Sequence, residues 1–410
     1  MTSDTITARL RRSIRQRGPI ATGMLLLIRG VECLLLVPIA FVLSRLSRFR
    51  FLPVFGERIG HLVCEPDCFL KERELGLRAG RTILEVICLP SNRVANRHLA
   101  SYWKPRLRVI TSPALCNLLR PLARQKALQY DIHAYVALVD SSATYPAIQR
   151  AWGDRPPVLR LSDEDARRGH ARLHELGLPR GAWFVCLHVR EAGYSPDDDA
   201  LHAYRNCDIH RFLPALREIR SRGGWIVRLG DPSMRRLPKM EGMIDYAHSS
   251  LRSDWMDVFL CAACRLFVGT SSGLCNVASV FGRPSCLANL APLSTVLPYG
   301  AGDLGIPKLL YSEREQRYLS FAEAFAAPVS NFRFSELYRE AGVRLEENST
   351  DDIVLLLVEA LDRLDGKATY TTEDEKRQAR FKALMRPGHY SLGAPSRVGR
   401  DFLRTYERFL

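Results

Sequence analysis

Between residues 183 and 290 the chain alternates short apolar runs with helix-like stretches, and few folds accept that order. "WFVCLHVR" (183–190) is an apolar run that stops at polar residues, and "DIHRFLPALREIRSRGG" (208–224) is a helical stretch closed by Gly-Gly. "WIVRLG" (225–230) follows, then helical "SDWMDVFLCAACR", extended "LFVGT", helical "GLCNVASVFG" and extended "PSCLAN". Strands covered on both faces read as unbroken apolar runs. The spacing is that of a doubly wound α/β fold with a parallel sheet.

The first half suggests a second series of the same kind. "RIGHLVCEP" and "RTILEVICLP" read as strands ending at proline, with helical "DCFLKEREL" between them. "YWKPRLRVIT" adds a strand and "CNLLRPLARQKAL" a helix. Proline-rich "WGDRPPVLRLS" (152–162) reads as a linker, and Ser162 as the N-cap of the next helix. Near the end, "STDDIVLLLVEALDRL" is an apolar helix capped by Ser349, "DGKATYTTEDEKRQAR" reads as a polar linker and "DFLRTYERFL" as an amphipathic helix. A chain of 410 residues exceeds what one core usually serves. The expected fold class is α/β, with two Rossmann-like domains facing a cleft: an N-terminal one over 49–160, a second over 161–330, and a helical region over 331–410 packing back on them.

Residues 1–48 stand apart. "ATGMLLLIRGVECLLLVPIAFVL" (21–43) is nearly all apolar but holds Arg29 and Glu32, and charges at mid-span are expensive in a bilayer. Arg9, Arg11, Arg12, Arg15 and Arg17 precede it, and Arg45, Arg48 and Arg50 follow. A helix lying in the plane of the membrane, bent at Pro38, places both basic clusters on anionic lipid. A spanning helix and a soluble core helix remain open. The segment is therefore expected to anchor the chain on the cytoplasmic face of the inner membrane, an anionic surface. The chain carries 59 Lys and Arg against 44 Asp and Glu, a net +15, which favours anionic partners or serves solubility. The basic residues are spread out with no aromatic-basic reader motif, so nucleic acid is not expected. Eleven scattered cysteines fit a reducing compartment better than a disulfide framework. Cys261-Ala-Ala-Cys264 lacks the further ligands zinc needs and reads as packing.

"VGTSSG" is the most informative turn. Val268 ends a strand, and Gly269 to Gly273, with Thr270, Ser271 and Ser272, form a small-residue turn into a helix. It is either an ordinary βα turn or a cradle in which backbone N–H groups meet a phosphate. Two strands of this half end in arginine, Arg190 and Arg228, the latter before Gly230, and "YRNCDI" brings Arg205 and Asn206 near the same edge. Ligands of such sheets bind at the carboxyl ends of strands, where guanidinium groups match a diphosphate. Pairing with surface acids is the alternative. Asp197, Asp198 and Asp199 suit a solvated loop or a helix start better than a metal clamp. In "ERIGHL", His61 is a candidate base for activating a hydroxyl, with Glu65 four residues on; a structural role is the alternative.

Taken in order, "RIGHL…EP", "HVRE", "YRNCDI", "WIVRLGD", "DWMDVFLCAACRLFVGTSSG" and "GRPSCLAN" resemble a family of bacterial glycosyltransferases of GT-B type over residues 55–300. Lipopolysaccharide heptosyltransferases have a similar R-x-G-D turn, with an acid where His61 stands here, and a Ser-Gly turn similar to Ser272-Gly273 that binds donor phosphate. GDP-fucose-dependent fucosyltransferases have a His-x-Arg motif similar to His188-Val-Arg190. Their motif continues with an acid after a glycine, whereas this chain reads "REAGYS", so fucose is not implied.

The resemblance implies a sugar transfer from a nucleotide-diphosphate donor to a hydroxyl of a lipid-linked or surface-polysaccharide acceptor, without metal or other cofactor. It assigns catalysis to His61 and Glu65. Donor binding falls to His188, Arg190, Arg205, Asn206, Arg228, Gly230, Thr270, Ser271, Ser272 and Gly273. A pyruvyl transferase of polysaccharide synthesis and a non-catalytic membrane-attached scaffold are the alternatives.

Overall fold

The computed structural model describes residues 18–46, 49–78, 84–131, 135, 144–193, 196–293, 299–387 and 389–410. Arg9 to Arg17 and Arg48 lie outside them. The chain forms two compact units interleaved in sequence. Unit 1 takes Met1–Val54, Ala79–Arg93 and Trp103–Asp131; unit 2 takes Phe55–Arg78, Val94–Tyr102 and Ile132–Leu410.

Unit 1 contains helix α1 (Pro19–Leu46), a parallel sheet of β1 (Phe49–Phe51), β2 (Leu84–Cys88) and β3 (Arg108–Ile110), and helix α4 (Pro113–Ala123). Its core gathers Ala40 of α1, Phe51, Val86 and Leu128, with Leu43, Ile110 and Leu119 packed around them. The strands expected in "RTILEVICLP" and "YWKPRLRVIT" and the helix expected in "CNLLRPLARQKAL" form here as β2, β3 and α4, and Ser112 caps α4 by accepting from Leu115 N at 3.4 Å. No helix among the described residues is long and apolar enough to cross a membrane.

Unit 2 begins with α2 (Ile59–Glu74) and α3 (Arg97–Tyr102), followed by α5 (Thr144–Trp152) and α6 (Asp163–Glu175). "RIGHLVCEP", expected as a strand, is instead the first half of α2. Leu62, Val63 and every residue from Glu65 to Lys71 are buried. Because Glu65, Asp67 and Lys71 are buried along with the apolar residues, no exposed polar face marks the helical period, and the apolar start of the run reads equally well as a buried strand. Pro66 sits inside α2, beyond its first turn, where it removes one N–H from the helical ladder and crowds the carbonyl one turn back.

The main sheet has seven strands, all parallel: β4 (Phe184–His188), β5 (Trp225–Arg228), β6 (Met243–Ile244), β7 (Leu266–Gly269), β8 (Ser285–Leu290), β9 (Leu304–Pro307) and β13 (Arg397–Val398). Their order is β13-β9-β8-β7-β4-β5-β6. The chain builds outward from β4 through β5 to β6, then returns to β7 and builds the other way. The reversal makes the β4/β7 junction the topological switch point, where open α/β sheets form a crevice at the strands' carboxyl ends. Crossovers include α7 (Pro196–His202), which carries the acidic triplet, α8 (Leu213–Ser221), α9 (Asp254–Ala263) and α10 (Gly273–Val280). A small antiparallel sheet joins β10 (Leu309–Ser312), β11 (Arg317–Tyr318) and β12 (Val343–Glu346), with α11 (Phe321–Phe325) and α12 (Ser335–Ala341) beside it in sequence.

The C-terminal helices are α13 (Thr350–Leu364), α14 (Thr372–Ala383) and α15 (Arg400–Thr405). Ser162 and Ser349 cap α6 and α13 as expected, each hydroxyl accepting a backbone N–H at 3.1 Å. The stretch expected as a polar linker holds most of α14. This helix buries a single large apolar side chain, Phe381, and is otherwise held by its capped end and ion pairs rather than by an apolar stripe. Thr371 and Asp374 form a reciprocal capping box, and buried Asp374 also accepts from Arg404 at 2.6 and 2.7 Å.

Candidate functional site

Two strand ends meet at the switch point. His188 of β4 lies in register with Gly269 of β7. Gly269 has φ +143°, and a Cβ there would collide with the His188 carbonyl, so only glycine lets β7 close so tightly on β4. Thr270 N donates to His188 O at 3.0 Å, and Arg190 N donates to Thr270 Oγ1 at 2.9 Å. The chain just past both strands is thereby laced together.

Three further residues expected in the site join this edge. The Arg190 Nε donates to Asn206 Oδ1 at 3.1 Å, and Cys207 N donates to Arg190 O at 2.9 Å. Arg205 Nη2 donates to Ser271 O at 3.1 Å and to Ser271 Oγ at 3.3 Å. Lys308, just after β9, was not singled out in the sequence, yet it is buried, and its Nζ donates to Tyr204 O at 3.0 Å and Asn206 O at 2.9 Å. It pins the 204–206 loop against the sheet edge. The available signal was a lysine directly after an apolar strand, at the edge where ligands of this fold gather.

Ser272 is the N-cap of α10, with Cys275 N donating to its Oγ at 3.4 Å and Cys275 Sγ donating to Ser272 O at 2.9 Å. Gly273 opens the helix. A Cβ on Gly273 would stand 2.5 Å from Ile59 Cγ2 and 2.9 Å from Gly60 N. One on Gly60 would stand 3.1 Å from Asn276 Nδ2 and 3.3 Å from Gly273 Cα. The first turns of α2 and α10 therefore touch backbone to backbone, which two glycines permit and larger residues would not. His61 is the residue after Gly60, and Ser272 the residue before Gly273. His61 and Glu65 belong to the same compact unit as the turn.

His61 Nδ1 and Glu65 Oε1 are 2.5 Å apart, one turn of α2 between them. The His61 side chain is 33% exposed and that of Glu65 1%, so a buried carboxylate holds a half-exposed imidazole. Burial raises the Glu65 carboxyl above its ordinary value, and the hydrogen bond from His61 opposes that rise. With Nδ1 committed to Glu65, Nε2 is the ring nitrogen left to take a proton. The Phe55 ring meets the imidazole edge-on at 5.4 Å.

His188 is held neutral. Its pKa is pushed down to about 4, first by burial and then by the charges of Arg228 and Arg190, and its buried Nδ1 has no hydrogen-bond partner among the described residues. Arg228 itself is fully buried. It donates to Glu191 at 2.9 Å, to Asp245 at 3.4 Å and to Arg235 O at 2.6 Å. These partners enclose its guanidinium, whereas Arg190 and Arg205 hold the edge of the switch point. Gly230, with φ +149°, packs against Met234, and its carbonyl accepts from Arg252 at 3.1 Å. Among the described residues, no group of three or more His, Cys, Asp or Glu is placed to hold a metal ion.

No protein-family model and no curated protein matches the chain. Solved structures similar to it include a glycosyl transferase family 9 protein from Veillonella parvula, 14% identical over 59% of this chain and 81% of that one, TM-score 0.31. The E. coli ADP-heptose LPS heptosyltransferase II is 15% identical over 60% and 86%, TM-score 0.34. The spinosyn forosaminyltransferase SpnP is 12% identical over 88% and 98%, TM-score 0.30. These structural neighbours are glycosyltransferases.

Proposed function

We propose that this chain is a GT-B-type glycosyltransferase that moves a sugar from a nucleotide-diphosphate donor to a hydroxyl of a lipid-linked or surface-polysaccharide acceptor. The observation that carries this reading is the contact of Gly60 with Gly273, which brings an oriented His-Glu pair and a small-residue helix N-terminus to one place.

His61 Nε2 takes the acceptor hydroxyl proton as the acceptor oxygen bonds to the sugar's anomeric carbon. The bond from that carbon to the diphosphate oxygen breaks, and its electron pair leaves on the nucleoside diphosphate. Glu65 keeps the imidazole oriented and stabilises the imidazolium that forms. Arg190, Arg205 and the N-terminus of α10 stabilise the leaving group's growing charge, a task that needs no divalent metal when fixed cations and dipoles perform it. Ser271 and Ser272 line the approach to the phosphates. A neutral His188 adds a polar group without adding charge.

The test is a thermal-shift panel of UDP, GDP, ADP and CMP. One of them should raise the melting temperature, by the equivalent of about 2.7 kcal/mol at a hundredfold excess over its Kd. No shift with any of them, together with turnover of phosphoenolpyruvate, would replace this reading with pyruvyl transfer.

A further inference from the structure

Unit 1 shows two features that the reaction leaves unused. The first is an apolar stripe along α1. Ile20, Met24, Leu27, Val31, Leu34 and Phe41 recur at helical spacing and are 86%, 65%, 70%, 52%, 79% and 54% exposed. At its other end the helix is fastened to the unit, since Ala40 is fully buried in the core beside Leu43. Twenty-eight residues make the helix about 42 Å long. Helix α4 of the same unit adds Leu118, 75% exposed. An exposed apolar strip of that length exceeds what a soluble surface ordinarily shows and marks an interaction face.

The second feature is charge. The three stretches of sequence that make up unit 1 contain 17 Lys and Arg against 4 Asp and Glu, a net +13. The whole chain carries +15, so the remainder, although three times longer, is nearly neutral. The basic excess is therefore a property of the unit that bears the stripe, and not a general aid to solubility. Arg124 and Lys126, beside the end of α4, are among its exposed cations.

We infer that unit 1 is a docking module for an anionic lipid bilayer, with the α1 stripe and Leu118 set among the acyl chains and the unit's arginines and lysines against acidic headgroups. Apolar insertion and headgroup attraction each bind weakly alone and firmly together. A second copy of this chain is the poorer occupant, because pairing two such faces would bring two +13 units together. The inference is independent of the reaction proposed for unit 2.

The test uses the full chain and sedimentation with vesicles of phosphatidylcholine, alone or with phosphatidylglycerol. The chain should sediment with phosphatidylglycerol vesicles, weakly with phosphatidylcholine alone, and less as salt rises. Leu34→Glu combined with Leu118→Glu should weaken vesicle binding about tenfold or more, leaving the far-UV circular dichroism spectrum unchanged. Arg124→Glu combined with Lys126→Glu, which leaves the apolar face intact, should weaken binding and flatten its salt dependence. Equal binding to both kinds of vesicle, or no binding to either, overturns the inference. So does a dimer in solution that the leucine variants dissociate while vesicle binding stays unchanged.

Discussion

Gly60 and Gly273 stand against one another so closely that a Cβ on Gly273 would lie 2.9 Å from the Gly60 nitrogen. Each lies in the first turn of a helix, and each neighbours a residue proposed to act in the reaction. Gly273→Ala should cost about 1–3 kcal/mol through overpacking at a backbone contact. Gly60→Ala should cost less, since its tightest neighbour is a movable Asn276 side chain at 3.1 Å. Denaturant melts of the two variants check the ranking.

Glu65 should act on rate through His61. Glu65→Gln preserves volume but removes the charge that stabilises an imidazolium. It should lower kcat by about 10²–10⁴ while the donor KM stays near its original value. His61→Ala should lower kcat at least as far, and Glu65→Gln added to it should have little further effect. A donor KM that rises with unchanged kcat would show that the pair binds rather than reacts.

The arginines should divide into two kinds. Arg190→Ala and Arg205→Ala should weaken nucleotide diphosphate binding, read as a smaller thermal shift. Arg228→Ala should instead cost about 3–5 kcal/mol of stability, because it strips a fully buried cation from Glu191 and Asp245. Calorimetry with and without nucleotide separates the outcomes.

Two groups should give opposite pH dependences. His188 has its folded pKa pushed down to about 4 from 6.5, so the fold loses stability as pH falls from about 6.5 to about 4, where the unfolded chain binds the proton first. Asp257, raised by burial to about 6 from 3.8, stabilises the fold most below about 3.8 and loses that contribution as pH rises through about 6. His188→Asn should therefore soften acid destabilisation. Asp257→Asn, which can still accept from Tyr246 Oη, at 2.8 Å from Asp257 in the native chain, should gain on the native protein as pH rises from 4 to 6. Melting temperatures across that interval test both.

The capping box of α14 offers a control away from the site. Thr371→Ala should cost about 1 kcal/mol and leave nucleotide binding unchanged.

Local chemistry was enough to read the strands at 183–290, the caps at Ser162 and Ser349, and the small-residue turn at 269–273. Buried parallel strands, hydroxyl caps and βα turns each write their requirement into a few adjacent residues. The same reading found the second half of α2 but took its first half for a strand, because a helix enclosed by its neighbours loses the polar face that would mark its period. It missed α14 because capping and ion pairs with Arg404, thirty residues away, hold that helix. It also placed Arg228 beside Arg190 as an equal, since both end strands of one sheet; only the fold reveals that Glu191 and Asp245 close around Arg228. The residue types of the candidate site are thus a property of the sequence. Their meeting at Gly60 and Gly273 is a property of the tertiary structure, because it depends on the absence of two side chains more than 200 residues apart.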